Sequence, residues 1–123
     1  MANDTLRALQ TASKGLLYPS EQDTPVKAFL WARADVGKDV MDEEAIKKQG
    51  KADKGAKVQM LTVEEFFAPV ATDAGFQTLQ SALKQHLTDM TVYWVGDTDA
   101  QVYLVGKTPE GDFAGVSIRV VET

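Results

Sequence analysis

Few residues in this chain have the types and spacing that chemistry requires. His86 is the single histidine. It follows Leu83 by three positions in a helical pattern, and no motif supplies the partner that a general base or metal ligand needs. A half-buried surface histidine is the expectation. "VGKT" (Val105 to Thr108) ends as a phosphate-binding loop ends. That motif requires a glycine five residues before Gly106, where Gln101 stands, and a following helix, where Pro109 stands, so the match is rejected. Asp42, Glu43 and Glu44 are consecutive. Consecutive positions on a helix diverge and do not converge on one ion. They read as an acidic first turn, favoured by the helix dipole. Lys47, Lys48, Lys51, Lys54 and Lys57 form a basic stretch without interleaved aromatics. That reads as a solvated loop, not a nucleic-acid site. Trp31 and Trp94 each fall in a strand pattern, where core packing is expected.

Two polar features remain. Tyr18-Pro19 and Thr24-Pro25 bracket "SEQD", a loop pinned by prolines at both ends. The chain closes with "GVSIRVVET". Val116, Ile118 and Val120 alternate with Ser117, Arg119 and Val121, the period of a half-buried strand. That strand runs into Glu122 and Thr123, and so delivers a side-chain carboxylate, a hydroxyl and an α-carboxylate. By residue physics alone neither feature is a motif. A solvated loop and a bare terminus are the plain readings.

The elements that must position these residues follow from pattern. Asn3 or Asp4 is placed to cap a first helix, with Leu6, Leu9 and Ala12 or Ser13 on one face and Gly15 as its left-handed end. "VKAFLWARA" reads as a strand with apolar residues on both faces, hence interior. "DVMDEEAIKKQG" reads as a helix ended by Gly50, and "VQML" as a short strand. Thr62 and Glu65 stand at capping-box spacing, opening a helix that stops before Pro69. The longest helical pattern carries Phe76, Leu79, Leu83 and Leu87 as its stripe. Strands "TVYWVGD", "QVYLVGKT" and "FAGVSIRVV" follow. "GDTDA" and "TPEGD" link them as hairpin turns, with Pro109 and Gly111 at positions two and four of a type I turn. The result is an α+β fold, helices on a mainly antiparallel sheet of about four strands, expected as a single domain over residues 1–123.

Composition narrows the function. Thirteen basic against eighteen acidic residues give a net charge of -5. This disfavours nucleic acid or an anionic membrane and suits docking on a basic protein. With no cysteine, disulfides, thiol chemistry and thiolate metal sites are excluded. No apolar run has signal-peptide or membrane-spanning length, so a cytoplasmic location is expected.

"GLLYPSEQDTPVKAFLW" and "VYLVGKTPEGDFAGVSIRVVET", with the helix between them, resemble the nuclease A inhibitor family over nearly the whole chain. The resemblance implies a small acidic inhibitor, not an enzyme, that blocks a sugar-nonspecific, Mg²⁺-dependent endonuclease. It implies a three-layer α/β/α sandwich, no cofactor and no metal of its own. The expected partner is the nuclease, in a 1:1 complex formed by a monomer. The resemblance assigns Glu21 and Thr123 to the nuclease's active site and metal, with Ser20 and Glu122 beside them. One stretch departs from the family. "APVATDAGF" stands where the family carries a longer acidic segment with a tryptophan. That departure motivates an alternative, a binding module of the same fold for another basic or metal-containing protein.

Overall fold

The computed structural model describes residues 2–18, 24–37, 42–50, 55–97 and 99–121. Its centre is an antiparallel sheet of five strands: β3 (Lys27–Trp31), β4 (Val58–Leu61), β5 (Thr88–Gly96), β6 (Asp99–Lys107) and β7 (Phe113–Val121). Their order across the sheet is β3-β7-β6-β5-β4. The short edge strand "VQML" raises the count above the expected four. A separate two-stranded ribbon joins β1 (Leu17–Tyr18) to β2 (Thr24–Pro25).

Strand β3 lies at an edge, not in the interior. Both of its faces are covered, as its apolar pattern requires. Ala28 and Leu30 pack into the larger core, Phe29 and Trp31 into the smaller one. Coverage of both faces is independent of having a ladder neighbour on both sides, which is why the expectation failed. The strand also stops sooner than its letters suggest. After Trp31 the chain turns into the short helix α2 (Arg33–Val36), whose first amide donates to Asp112 Oδ1 at 2.9 Å.

The larger core lies on one face of the sheet under α1 (Ala2–Ser13), α4 (Val63–Phe67) and α5 (Ala74–His86). Helix α1 starts at Ala2, so Asp4 lies inside the first turn instead of capping it, and favours the helix dipole there. Leu9 is fully buried, and Gly15 takes the left-handed conformation. Thr62 and Glu65 form the capping box of α4, each side chain accepting from the other's amide at 3.1 Å. Pro69 sits in a 3₁₀ turn, Ala68–Val70, and Asp73 caps α5 through its carboxylate. Phe76, Leu79, Leu83 and Leu87 are all buried, as the stripe required. Lys84 reaches Glu64 at 3.1 Å and ties α5 to α4.

The opposite face carries α2 and α3 (Glu43–Gly50) over Tyr93, Val95, Tyr103, Val105 and Phe113. The expected third layer is therefore partial. Gln101, Asp99, Ser117 and Arg119 continue the same face beyond it, and they are polar and at least partly exposed. A sheet face that turns polar gives helices nothing to bury. Among the described residues no helix is long and apolar enough to cross a membrane.

Candidate functional site

The four sequence-expected site residues, Ser20, Glu21, Glu122 and Thr123, lie outside the described residues. Their stems are described, and each stem is firmly held.

The loop spanning residues 19–23 connects the two strands of the ribbon, in which Leu17 pairs with Pro25 and Tyr18 with Thr24. Alternation along β1 turns Tyr18 inward and leaves Leu17 about half exposed. The Tyr18 ring stacks on Phe66, with centroids 4.9 Å apart and planes at 13°. It meets Phe76 edge-on at 5.9 Å. Its hydroxyl donates to the Phe66 carbonyl at 3.4 Å. The Val26 amide donates to the Leu16 carbonyl at 3.3 Å, closing the stem against the end of α1. One side of the stem is therefore nailed to α4 and α5 by an aromatic ring.

The second stem is β7. It pairs with β6 over its full length, from Phe113 opposite Lys107 to Val121 opposite Asp99. Ile118 and Val120 are buried on the inner face. On its other side β7 pairs with β3 from Phe113 to Ser117. The register decides where the two stems lie. Lys27 stands opposite Ser117, and the strands are antiparallel. Stepping back from Lys27 to β2 therefore moves along β7 toward Val121, and β2 does lie against β7. The stem of the proline-bracketed loop and the described end of β7 therefore lie at one edge of the sheet. Neither hydrophobic pattern nor turn chemistry carries this juxtaposition; it follows from strand pairing.

The surface of this edge is mixed. A cleft of roughly 580 Å³ is lined by Lys14, Leu16, Leu17, Pro25, Val26 and Lys27, among others. On the open sheet face Arg119 grips Asp99 with both arms of its fork, Nε to Oδ1 at 2.9 Å and Nη2 to Oδ2 at 2.6 Å. Hydrogen bonds from Arg119, with its charge, hold the Asp99 carboxyl below the usual carboxylate range. This pair had no signal in the sequence, because Asp99 and Arg119 meet only through the β6–β7 register.

The other candidates resolve into structure. Asp42 accepts from the Ala45 amide at 2.8 Å and caps α3, while Glu43 and Glu44 are exposed in its first turn. Gly106, the glycine of "VGKT", sits inside β6. A Cβ there would come within 2.8 Å of the Thr88 carbonyl oxygen and 2.9 Å of Leu87 Cβ, so close packing at the α5–β5 junction accounts for it. The Gly111 amide donates to the Thr108 carbonyl at 3.0 Å, the bond of the expected turn. His86 is the partly buried last residue of α5. Burial pushes the Tyr93 and Tyr103 phenols up, so both stay neutral hydrophobic anchors at ordinary pH. Trp94 packs at the margin of the larger core. Of the basic stretch, Lys51 and Lys54 lie outside the described residues, and Lys48 and Lys57 are exposed. Among the described residues no group of acidic or histidine side chains has the geometry to hold a metal ion.

Comparison with curated proteins gave no significant match. The family model for nuclease A inhibitor-like proteins matches residues 3–123, which takes in both stems and the sheet between them, and the chain belongs to that family.

Proposed function

We propose that this protein, acting as one domain, inhibits a sugar-nonspecific, Mg²⁺-dependent endonuclease by occupying its active site. The family match over residues 3–123 carries the reading. The convergence of the two stems on one edge supports the finer assignment. In that assignment Glu21 and Thr123, flanked by Ser20 and Glu122, enter the basic cleft together.

The chemistry fits such a role. A nuclease that holds a polyanion beside Mg²⁺ needs a basic cleft. Mg²⁺ takes oxygen ligands and commonly completes its shell with phosphate oxygens. A carboxylate can stand where a phosphate oxygen would. Side-chain carboxylates and an α-carboxylate are ionised at neutral pH. Stems fixed by the Tyr18 ring and the β6–β7 ladder reduce the ordering cost of association. The net charge of -5 speeds encounter with a basic partner and makes it salt-sensitive. The protein would act as a monomer in a 1:1 complex and contribute no catalytic group.

The test is inhibition of such a nuclease by the protein ending at Thr123, beside a version extended past it and a Glu21→Ala variant. Inhibition by the first and loss in the second is the expected result. Glu21→Ala should cost about 2 kcal/mol or more, roughly thirtyfold in affinity, mostly through the off-rate. Equal inhibition by all three would refute the assignment of these residues. The connection between α4 and α5, taken up by the 3₁₀ turn and the Asp73 cap, motivates the second reading, a module of this fold for another basic or metal-containing protein. Absence of inhibition by the first protein would favour it.

A further inference from the structure

Side chains alternate along a strand, so a ribbon covered on one side should read apolar inward and polar outward. The β1–β2 ribbon does not. Tyr18 supplies its inward face. Leu17 and Pro25, directly opposite each other in the ladder, share the outward face, and both are exposed. Leu17 is 52% exposed. A lone surface leucine is ordinary. Leu17 is not alone, because Leu16, Val26 and Ala28 continue the apolar lining of the cleft at its foot. Contiguous apolar surface of this kind marks an interaction site.

Charge is the second observation. Lys14 and Lys27 flank the same cleft, and both are exposed. Neither takes part in the ion pairs seen among the described residues. No acidic residue joins them in the described lining. A protein of net charge -5 therefore carries a local patch of opposite sign at the stem of its proline-bracketed loop. Along the chain, Glu21 and Asp23 in the loop give way to lysines at its stem. The basic cleft proposed for Glu21 does not suit this patch, since like charges brought together cost affinity. The patch suits an apolar surface that carries acids, and lysine stems can extend its apolar contact while their ammonium groups meet carboxylates.

We infer that the Leu17–Pro25 face docks the nuclease outside its catalytic cleft, on an apolar rim carrying acidic side chains. The inference rests on the inhibitor reading and adds a specificity element to it. Every nuclease that holds a polyanion beside Mg²⁺ needs a basic cleft, whereas the rim is free to differ between nucleases. Leu17 is the apolar anchor of this contact.

The test measures binding to, and inhibition of, a sugar-nonspecific Mg²⁺ nuclease. It compares the unaltered protein with Leu17→Ala, Leu17→Asp and the double variant Lys14→Glu with Lys27→Glu. Two controls lie away from this edge: Met60→Ala, exposed on β4, and Lys48→Glu with Lys57→Glu. All of these are surface changes, so melting temperatures should stay within about 2 °C. Leu17→Ala should raise Kd about three- to tenfold and Leu17→Asp about tenfold or more, mainly through the off-rate. Met60→Ala should bind like the unaltered protein. The lysine pairs decide by sign. Both double variants make the protein more acidic by the same amount, and net charge alone favours the basic partner in both. Lys14→Glu with Lys27→Glu should instead weaken binding about tenfold, and the control pair should not weaken it. An unchanged Kd for Leu17→Asp would overturn the docking contact. Tighter binding by the Lys14 and Lys27 variant would overturn the acidic rim. If the unaltered protein inhibits no such nuclease, the inhibitor reading fails and this inference falls with it. Inhibition that the Leu17 and lysine variants all retain removes the docking face alone.

Discussion

Tyr18 is where stability and the candidate site meet, and replacing it separates its two contributions. The ring is 6% exposed, stacked on Phe66 and edge-on to Phe76. Truncating a buried aromatic to alanine costs about 3–5 kcal/mol from lost transfer energy and the cavity left behind. The hydroxyl bond to the Phe66 carbonyl is long, at 3.4 Å. Removing it should cost at most about 1 kcal/mol. Tyr18→Ala should therefore lower the urea midpoint steeply, or the melting temperature by roughly 10–20 °C. Tyr18→Phe should sit within a few degrees of the unaltered protein. Circular dichroism follows the sheet, and Trp94 at the margin of the larger core reports packing. In the inhibition assay Tyr18→Phe should match the parent, because the stem keeps its anchor. An alanine variant losing less than about 1 kcal/mol would mean that the ring is not packed between Phe66 and Phe76. A phenylalanine variant losing more than about 2 kcal/mol would mean that the hydroxyl, not the ring, holds the stem.

Two further outcomes are expected. At Gly115 a Cβ would land on the Leu104 carbonyl oxygen and within 3.1 Å of Val105 Cα, backbone that cannot swing aside, so Gly115→Ala should cost about 1–3 kcal/mol or more and weaken exchange protection along β6 and β7. Ser117→Ala, two residues on, should change stability by less than about 0.5 kcal/mol, and a Gly115→Ala protein that melts like the parent would refute the described β6–β7 approach. The Asp99 carboxyl is held low by Arg119, so the ion pair is fully present above the ordinary carboxylate value of about 4 and is lost as pH falls through the lower folded value; a carboxyl titration by NMR with its midpoint at or above the ordinary value would refute the pairing.

Much of this fold is legible in its letters, because local physics sets those parts. The "TVEE" capping box, the "TPEG" turn and the Phe76–Leu87 stripe each depend on contacts within a few residues, and each is in place. What depends on pairing was not legible. "VKAFLW" carries apolar residues on both faces whether its ladder has one neighbour or two, so its edge position is silent in the sequence. The partial helical layer was equally silent. The polarity of Gln101, Ser117 and Arg119 announces an open face only once β6 and β7 are known to lie side by side. Helix α2 escaped notice because four residues after a strand carry too little periodicity to register. The Asp99–Arg119 ion pair is a diagonal contact across a hairpin, and no spacing rule within one segment finds it.

The candidate site has the same dependence. Its two halves lie near opposite ends of the sequence, and one register brings their stems together. Lys27 opposite Ser117 sends β2 toward the end of β7. A slip of one residue would turn Ile118 and Val120 out of the core and Arg119 into it. Fully buried Ile118 and Val120, with Leu30 and Ala28 across the β3 pairing, make that slip costly. The inner face of β7 therefore sets what its outer face and its end present. Inhibition should respond to core substitutions at Ile118 and Val120 that leave the surface untouched. The loop stem is held differently, by its own short ladder and by the Tyr18 ring stacked on Phe66. The two halves of the edge therefore fail by different routes: core substitutions at Ile118 and Val120 loosen the β7 half, and removal of the Tyr18 ring loosens the loop stem.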